Sequence, residues 1–311
     1  MTAATHLSGA EAHERAEAAL TQFWPDWHGE LEPLKPLVKP LRATPFVVHG
    51  GPEPAVIKVW GPGNADKAQA QARRQAEVAQ AMSDGRERAV PVLGFDAANC
   101  ALLMAQALGK PVADVLRGQP DRLDELARRA GQWCRAHHQS TLRPAGFRPA
   151  GHKAWLERLM AQVSSGDRAI PDAGAFLTEA ERLTTLAMPL RKRPSLRAVT
   201  HRDLTLSNLI LNKDDTLWGL DFENAKEDEP GRDLFSLALD LLRFAPDDAA
   251  RRACYDRLWA GYGAAEIDPE VSAFLTQCFA LGLWANTPEH PSQRQAERLE
   301  LAHWLRRESA R

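Results

Sequence analysis

Residues 201–208, HRDLTLSN, and residues 220–223, LDFE, carry the polar side chains on which the interpretation of this chain depends. The first stretch contains Asp203 and, five residues later, Asn208, and the second stretch contains Asp221. Carboxylate and amide oxygens are the ligands that Mg²⁺ prefers in proteins. The pattern therefore indicates Asn208 and Asp221 as candidate metal ligands, with the Asp203 carboxylate shortly before them in the chain.

The segment between these motifs predicts a short hairpin. Residues 209–211 and 217–220 are apolar, and the intervening residues 212–215, NKDD, are typical of turns. Because a hairpin brings its two ends together, residues before its first strand and just after its second can face one cavity. The alternative for the three polar residues is ordinary surface turn chemistry, which Asp and Asn also favour.

The order H-x-D-x-x-x-x-N, hairpin, D-F-E resembles the phosphotransferase family that contains the aminoglycoside and choline kinases, which are relatives of the protein kinases. The resemblance implies ATP- and Mg²⁺-dependent transfer of a phosphoryl group to a hydroxyl of a small molecule. In that reaction Asp203 would position or deprotonate the hydroxyl, while Asn208 and Asp221 would hold magnesium across the phosphates. Residues 230–234, PGRDL, match the family's Asp-Leu pair, and Asp233 is expected to brace the loop.

Two further residues of the motif have competing interpretations. His201 has the side-chain type of a general base near neutral pH, but in the resembled family this histidine is mainly a structural hydrogen-bonding residue, so we expect a scaffold role. Arg202 is either a solvated loop charge or a contact to phosphate, and the sequence leaves both open.

The nucleotide-binding half is expected upstream, in the run Ala55–Trp60 (AVIKVW). A lysine inside an apolar strand requires a charged partner, and the resemblance supplies the phosphates of ATP together with a helix glutamate. A helix is predicted over 65–82, in which Glu77 is the candidate partner of Lys58, with Gln75 as the alternative. Otherwise Lys58 would face water from an edge strand and Glu77 would be an ordinary exposed helix charge.

One departure from the family precedes that lysine. The family usually has a glycine-bearing turn between its first two strands, whereas residues 34–45, LKPLVKPLRATP, contain proline and basic residues instead. Lys39 and Arg42 would replace the turn electrostatically or remain solvated. Residues 50–52, GGP, are predicted to be the hairpin turn that leads into the Lys58 strand.

The run 101–104, ALLM, with the residues that follow it, resembles the strand and interlobe hinge of the family. Adenine would contact backbone groups there, close to Met104 and Gln106. Backbone contacts do not depend on side-chain identity, so a plain strand followed by a turn is the alternative.

The predicted fold is α+β and protein-kinase-like. A smaller N-terminal lobe, residues 1–107, would contain an antiparallel sheet, and a mainly helical C-terminal lobe, residues 108–311, would carry the catalytic hairpin. Ser8 is expected to cap the first helix, and the doublet at 137–138 is expected to place one histidine in the core and the other in solvent. Further helices are predicted over 8–23, 123–138, 154–163, 179–188, 234–244, 249–261, 269–283 and 293–307.

Composition narrows the class of protein. The net charge of −2 and the pI near 6.6 argue against a protein built mainly to bind nucleic acid. No segment is apolar for long enough to cross a membrane, and the N-terminus lacks a basic-then-apolar signal. Four widely spaced cysteines without a C-x-x-C pair indicate reduced thiols, which fits the cytoplasm. The oligomeric state stays open.

The acceptor is the least determined part. Aromatic residues would favour a choline-like cation, and an acidic group would favour a polyamine or aminoglycoside. Tryptophans at helical spacing are more often core residues, however, and an acidic run is usually a solvated loop. Sugars and amino-acid alcohols are further candidates. The aromatic group comprises Trp155, Trp259, Tyr262, Trp284 and Trp304, and the acidic group comprises Glu223, Glu227, Asp228 and Glu229.

Two other functions compete with a small-molecule kinase. The missing glycine turn suggests a catalytically silent pseudokinase that binds a nucleotide or a protein partner. A protein kinase acting on Ser or Thr is disfavoured, because the short span from Asp221 to Asp233 leaves little room for an activation segment.

Overall fold

The computed structural model describes residues 6–263 and 266–310. They form two compact units: residues up to Val115 together with Ser207–Ala225, and Leu116–Leu206 together with the residues from Lys226 onward. This division differs from the predicted boundary between residues 107 and 108 chiefly in Ser207–Ala225. That segment groups with the first unit because its strands hydrogen-bond to strands there.

The described residues form twelve strands and ten α-helices. The strands are β1 (Leu31–Pro33), β2 (Ala43–Val48), β3 (Ala55–Trp60), β4 (Glu87–Ala89), β5 (Val92–Asp96), β6 (Ala101–Ala105), β7 (Lys110–Pro111), β8 (Arg143–Gly146), β9 (Pro194–Val199), β10 (Leu209–Leu211), β11 (Leu217–Gly219) and β12 (Glu227–Asp228). The helices are α1 (Gly9–Phe23), α2 (Ala65–Ala81), α3 (Val112–Gly118), α4 (Leu123–Gln139), α5 (Ala150–Ser164), α6 (Ala173–Ala187), α7 (Gly231–Leu241), α8 (Asp248–Tyr262), α9 (Pro269–Ala285) and α10 (Gln293–Glu308).

The first unit contains a five-stranded antiparallel sheet in the order β1-β2-β3-β6-β5. Strands β2 and β3 pair from Ala43 opposite Trp60 to Val48 opposite Ala55, so residues 50–52 lie in the hairpin turn as predicted. Gly50 adopts a φ of +73° there, a conformation that glycine accepts without steric cost.

The two faces of this sheet pack against different helices. Ala55, Ile57 and Val59 of β3 lie in a core shared with α1, whereas Trp60 lies in a core shared with α2. Because side chains alternate across a strand, Lys58 projects on the α2 side. Helix α1, which starts at the predicted Ser8 capping box, therefore covers the face opposite Lys58.

A second sheet in the first unit has the order β4-β11-β10-β7. Its centre is the predicted hairpin, in which Leu209 pairs with Gly219 and Leu211 with Leu217 in antiparallel register. Strand β11 also pairs in parallel with β4, and β10 pairs with β7. The hairpin is thus held on both edges by strands of its own unit.

The second unit is mainly helical, and its predicted helices are confirmed to within a few residues at most ends. The α+β class, with an antiparallel sheet in one unit and helices in the other, is confirmed. Helix α6 begins six residues earlier than expected, because the Asp172 side chain accepts a hydrogen bond from Ala175 N–H and caps it. Within residues 6–263 and 266–310, every helix is too short or too polar to cross a membrane.

A small sheet in the order β12-β9-β8 was not predicted. Strands β8 and β12 are four and two residues long, and β8 contains a proline, so neither shows the alternating apolar pattern that identifies a strand. Strand β9 leads directly into the loop that begins at His201.

Helix α7 holds that loop with two carboxylates. Asp233 accepts hydrogen bonds from His201 N–H at 2.6 Å and from Arg202 N–H at 2.8 Å, and Asp240 accepts one from Leu206 N–H at 3.1 Å. Asp240 follows Asp233 by seven positions, so the two aspartates lie on one face of α7 two turns apart. The expectation that Asp233 braces the loop is confirmed, and Asp240 is a second brace that sequence reasoning missed.

Both histidines of the 137–138 doublet are buried, so the expectation that one is solvated is wrong. Helix α4 packs against α8 and also against α7 and β9, which leaves neither side of the doublet in water. His138 donates from Nε2 to Asp233 at 3.0 Å, and His137 stacks on Trp133 at 5.4 Å between ring centroids. The ring centroids of His201 and His137 are 6.0 Å apart. His201 is therefore also in the core, which agrees with the scaffold role expected for it.

Cys134, His138 and Asp233 are the one close group of potential metal ligands in the part of the chain that the structure describes. The Asp233 oxygens already accept two backbone N–H groups and the His138 N–H. Burial alone would raise the pKa of Asp233, but the hydrogen bond from His138 and the charges of nearby histidines lower it to about 2. Hydrogen bonding thus accounts for this cluster without a metal.

We expect Asp233→Asn to lower the free energy of unfolding by about 3 kcal/mol, because an amide leaves a buried N–H without an acceptor and removes a buried charge. The pKa of Asp233 is about 2 in the folded chain, against an ordinary value of 3.8. The carboxylate therefore stabilises the fold fully above about pH 4, and this contribution is lost as the pH falls toward 2.

Urea unfolding of both proteins between pH 2 and pH 7 measures this effect. Asp247→Asn is the matched control, since Asp247 is an exposed N-cap where asparagine caps equally well. A stability difference for Asp233→Asn that stays constant down to pH 2 would show that the Asp233 charge is not what holds the loop.

Candidate active site

Lys58 lies at the centre of a polar cluster within the first unit. Its Nζ is 2.6 Å from Asp221 Oδ1, 3.2 Å from Glu223 Oε1 and 3.3 Å from Gln71 Oε1. The Gln71 amide also donates to Asp221 Oδ1 at 2.9 Å, so the Gln71 side chain bridges Lys58 and Asp221. The lysine side chain is 13% exposed and its ammonium lies 5.0 Å from the Trp60 ring centroid. The structure thus brings together Lys58 and Asp221, which the sequence placed in separate motifs.

The expected pair between Lys58 and Glu77 is wrong. Glu77 is 58% exposed and lies 3.6 Å from Arg74, one turn earlier on α2. The residues of α2 that face inward include Gln71, Gln75 and Val78, and Glu77 falls almost opposite Gln75 around the helix. Gln75 donates to the Val90 carbonyl oxygen instead, so neither of the two residues considered is the partner.

The hairpin places Asn208 and Asp221 at one end. Leu220 N–H donates to the Asn208 backbone carbonyl oxygen at 3.0 Å, which joins the residue before Asp221 to Asn208. Asp221 has a φ of +70°, in the left-handed region that costs a non-glycine residue on the order of 1 kcal/mol. A carboxylate and an amide oxygen at one hairpin end are donors that fit Mg²⁺.

Asp203 belongs to the second unit. It is exposed, while Leu204 and Leu206, which follow it, are buried and fix the loop to the core. Arg202 before it has a φ of +67°, and its guanidinium lies 3.1 Å from Asp228 Oδ2. Two non-glycine residues in left-handed conformations, Arg202 and Asp221, thus occur in the two motifs, a kind of strain that concentrates at functional sites.

The predicted adenine contacts lie at the end of β6. Met104 is half-buried beside Val56 and Val92, in strand register with both. Gln106 N–H donates to the Pro54 carbonyl oxygen at 2.9 Å, so a contact with adenine at this residue would use its carbonyl oxygen. Lys39 and Arg42, in the glycine-free connection between β1 and β2, are exposed. The roles of these four residues stay predictions.

A cavity of about 660 Å³ lies entirely within the second unit, lined by α5, α7, α9 and neighbouring residues. Arg202, which precedes Asp203 in the chain, is part of its wall. Trp155 also lines it and passes close to Gly282, where an added Cβ would lie 3.1 Å from the indole ring. Tyr262, Trp284 and Trp304 are core residues instead, and Trp259 packs against Tyr262 away from the cavity. Of the five predicted aromatic residues only Trp155 lies at this cavity.

The predicted acidic group is neutralised by neighbouring cations. Glu223 pairs with Lys58 and Glu227 with Arg143. Asp228 Oδ2 lies 3.1 Å from Arg202 and 2.6 Å from Arg232.

Glu229, the last member of the group, is 4% exposed and lies 2.7 Å from Arg197 and 3.5 Å from His152. Burial alone would raise the pKa of Glu229, but hydrogen bonds and the charges of His152 and Arg197 hold it well below its ordinary value. The carboxylate is therefore ionised and already compensated within the protein.

Three solved structures of kinases and phosphotransferases are similar to this chain along nearly its whole length. A macrolide 2'-phosphotransferase from Brachybacterium faecium superposes with a TM-score of 0.59, 12% identity, and coverage of 96% of this chain and 97% of that chain. A choline/ethanolamine kinase family protein from Mesorhizobium loti gives 0.57, 17% identity, and 94% of both chains. The aminoglycoside phosphotransferase APH(2'')-Ib, solved with ADP bound, gives 0.55, 15% identity, and coverage of 95% and 98%.

These likenesses confirm the protein-kinase-like fold. A search of curated protein sequences found no match. The sequence profile of the phosphotransferase enzyme family, abbreviated APH, matches residues 33–275, which include Lys58, the hairpin and both motifs. The chain therefore belongs to the APH phosphotransferase enzyme family.

Proposed function

We propose that this phosphotransferase uses ATP and Mg²⁺ to phosphorylate a hydroxyl group of a small molecule. The observation that carries the proposal is the contact of Lys58 Nζ with Asp221 Oδ1 at 2.6 Å, reinforced by Gln71. It joins a cation on the sheet to the carboxylate of the second motif, the two charges that phosphoryl transfer requires near a nucleotide. Nucleotide use also agrees with the ADP bound to the structural neighbour APH(2'')-Ib.

The proposed roles follow from the chemistry of each side chain. Asp203, exposed on a loop fixed at both ends, would orient the acceptor hydroxyl and take its proton. Lys58 would neutralise phosphate charge, and Gln71 would keep its ammonium beside Asp221. Mg²⁺ held by Asn208 and Asp221 would offset the negative charge of the phosphates.

The fixed loop makes positioning the main contribution of the second unit. Three backbone N–H groups of residues 201–206 are bonded to α7, so Asp203 loses little conformational freedom when the acceptor binds. The four cysteines are buried free thiols, which agrees with a cytoplasmic location for the enzyme.

The alternative is a pseudokinase that binds a nucleotide or a protein partner without turnover. It is favoured by the connection between β1 and β2, residues 34–42, which contains no glycine for close approach of backbone to phosphate. The retention of Asp203, Asn208 and Asp221 supports turnover, because a scaffold has no chemical need for all three.

We expect Asp221→Ala to abolish magnesium-dependent ATP binding in calorimetry, since it removes the charged metal ligand and the partner of Lys58. Asp214→Ala, a matched change in the exposed turn of the same hairpin, should bind Mg-ATP as the wild type does. A folded wild-type protein that binds no Mg-ATP would refute the kinase proposal.

Asp203→Asn should retain Mg-ATP affinity within about twofold and lose turnover by about 10²–10⁴-fold, the range expected for a missing general base. Single-turnover transfer of labelled phosphate measures the loss. Near wild-type transfer in this variant would remove Asp203 from the proposed mechanism.

Gln71→Met keeps the side-chain volume and removes the link between Lys58 and Asp221. We expect it to lower kcat/KM for ATP by about tenfold, the effect of one hydrogen bond to a charged group. Glu77→Gln, on the exposed side of the same helix, is the control and should change kcat/KM less than twofold. A larger effect at Glu77 than at Gln71 would restore the pairing expected from the sequence.

A further inference from the structure

We propose that the acceptor carries a carboxylate or phosphate group in addition to its reacting hydroxyl, and that the cavity of the second unit binds this anion. The inference rests on the proposed function and specifies its acceptor. It departs from the cationic acceptors, choline-like or aminoglycoside-like, that the aromatic and acidic residues of the sequence suggested.

The first argument is the charge of the cavity wall. Its lining contains two carboxylates, Asp228 and Glu229, and five arginines. The arginines are Arg148, Arg197, Arg202, Arg232 and Arg298.

Ion pairs within the cavity wall do not neutralise all of the positive charge of these arginines. Arg202 and Arg232 share the single carboxylate of Asp228, and Glu229 is held by Arg197 together with His152. The five arginines of the lining outnumber its two carboxylates, which leaves the wall with an excess of positive charge that attracts an anion.

Arg148 is the residue best placed to bind a ligand anion. It is exposed at the cavity, and within residues 6–263 and 266–310 it lies in no ion pair with a carboxylate. Arg298, by contrast, is held 3.1 Å from Asp240, the aspartate that braces the loop. A guanidinium binds carboxylate or phosphate through two parallel N–H groups, which favours these anions over neutral groups.

The second argument is the arrangement of polar and apolar groups. Arg232, Phe235, Ser236 and Leu239 line the cavity at helical spacing along one face of α7. The Arg232 guanidinium lies 4.8 Å from the Phe279 ring centroid, so an aromatic surface supports it. A ligand with an anionic end and a less polar body matches this wall.

The third argument is proximity in the chain to the reacting carboxylate. Arg202 lines the cavity and is directly followed by Asp203. A cationic acceptor would need a carboxylate that is not already compensated, and both carboxylates of the wall are paired. An anionic acceptor requires no rearrangement of these pairs.

Phosphate transfer from Mg-ATP to matched alcohols of different charge tests the inference. Glucosamine, glucose, gluconate and glucose 6-phosphate form one series, and choline, glycerol, glycerate and glycerol 3-phosphate form another. We expect kcat/KM for an anionic member to exceed that of its neutral counterpart at least tenfold. Faster Asp203-dependent transfer to a cationic or neutral member would overturn the inference and leave the proposed function intact.

Arg148→Gln should reduce the preference for the anionic member over the neutral one by about tenfold, the effect of one charge-assisted hydrogen bond. Arg191→Gln, an exposed arginine of the same unit outside the cavity, is the matched control and should leave the preference unchanged. An unchanged preference in Arg148→Gln would count against the assignment.

A binding measurement that needs no turnover separates the inference from the proposed function. Sodium phosphate and sodium glycerate should raise the thermal unfolding temperature more than sodium chloride at equal ionic strength, because an anion bound only to the folded state stabilises it. The increment should shrink in Arg148→Gln and persist in Arg191→Gln. Equal increments in all three proteins would overturn the inference, whereas absent Mg-ATP binding with an Arg148-dependent increment would overturn only the proposed function.

Discussion

The buried carboxylate of Asp233 is the constraint on which the second unit depends. It accepts two successive backbone N–H groups at the start of the loop and the Nε2–H of His138 on α4. A buried charge is costly unless it is paired and hydrogen-bonded, and here three donors compensate it. The Asp233 side chain therefore joins three parts of the second unit: the loop at residues 201–202, its own helix α7, and helix α4.

Local patterns in the sequence predicted the elements that are set by neighbouring residues. The hairpin of residues 209–219, the Ser8 capping box and the strand around Lys58 follow from alternation, turn chemistry and capping, each of which acts within a few residues. Glu77 shows where such reasoning ends. The sequence shows an acidic residue in the predicted helix, but it does not show which side of that helix faces the sheet. That side is set by packing of Ala68 and Ala72 against Trp60.

The cavity was invisible in the sequence for a related reason. Its arginines are scattered from position 148 to position 298, and each alone is a plausible surface charge. Three of the four acidic residues thought to attract a cation, those at 227–229, are held by arginines from β8, β9, the loop after it and α7. The acidic run at 227–229 suggests a negatively charged site when it is considered along the chain alone. The residues that surround the cavity in the fold carry more positive than negative charge.

The contact between Trp155 and Gly282 bears on how such an enzyme changes during evolution. The indole ring of Trp155 occupies the space that a side chain at Gly282 would take. The size of the cavity therefore depends on Gly282, a residue without a reactive side chain. A single methyl group added at Gly282 would press on the ring and alter the volume of the cavity, while the arginines of its wall would keep their chemistry. Under the proposed function, separate residues would set the size and the charge of the acceptor, so that one could change in evolution while the other is kept.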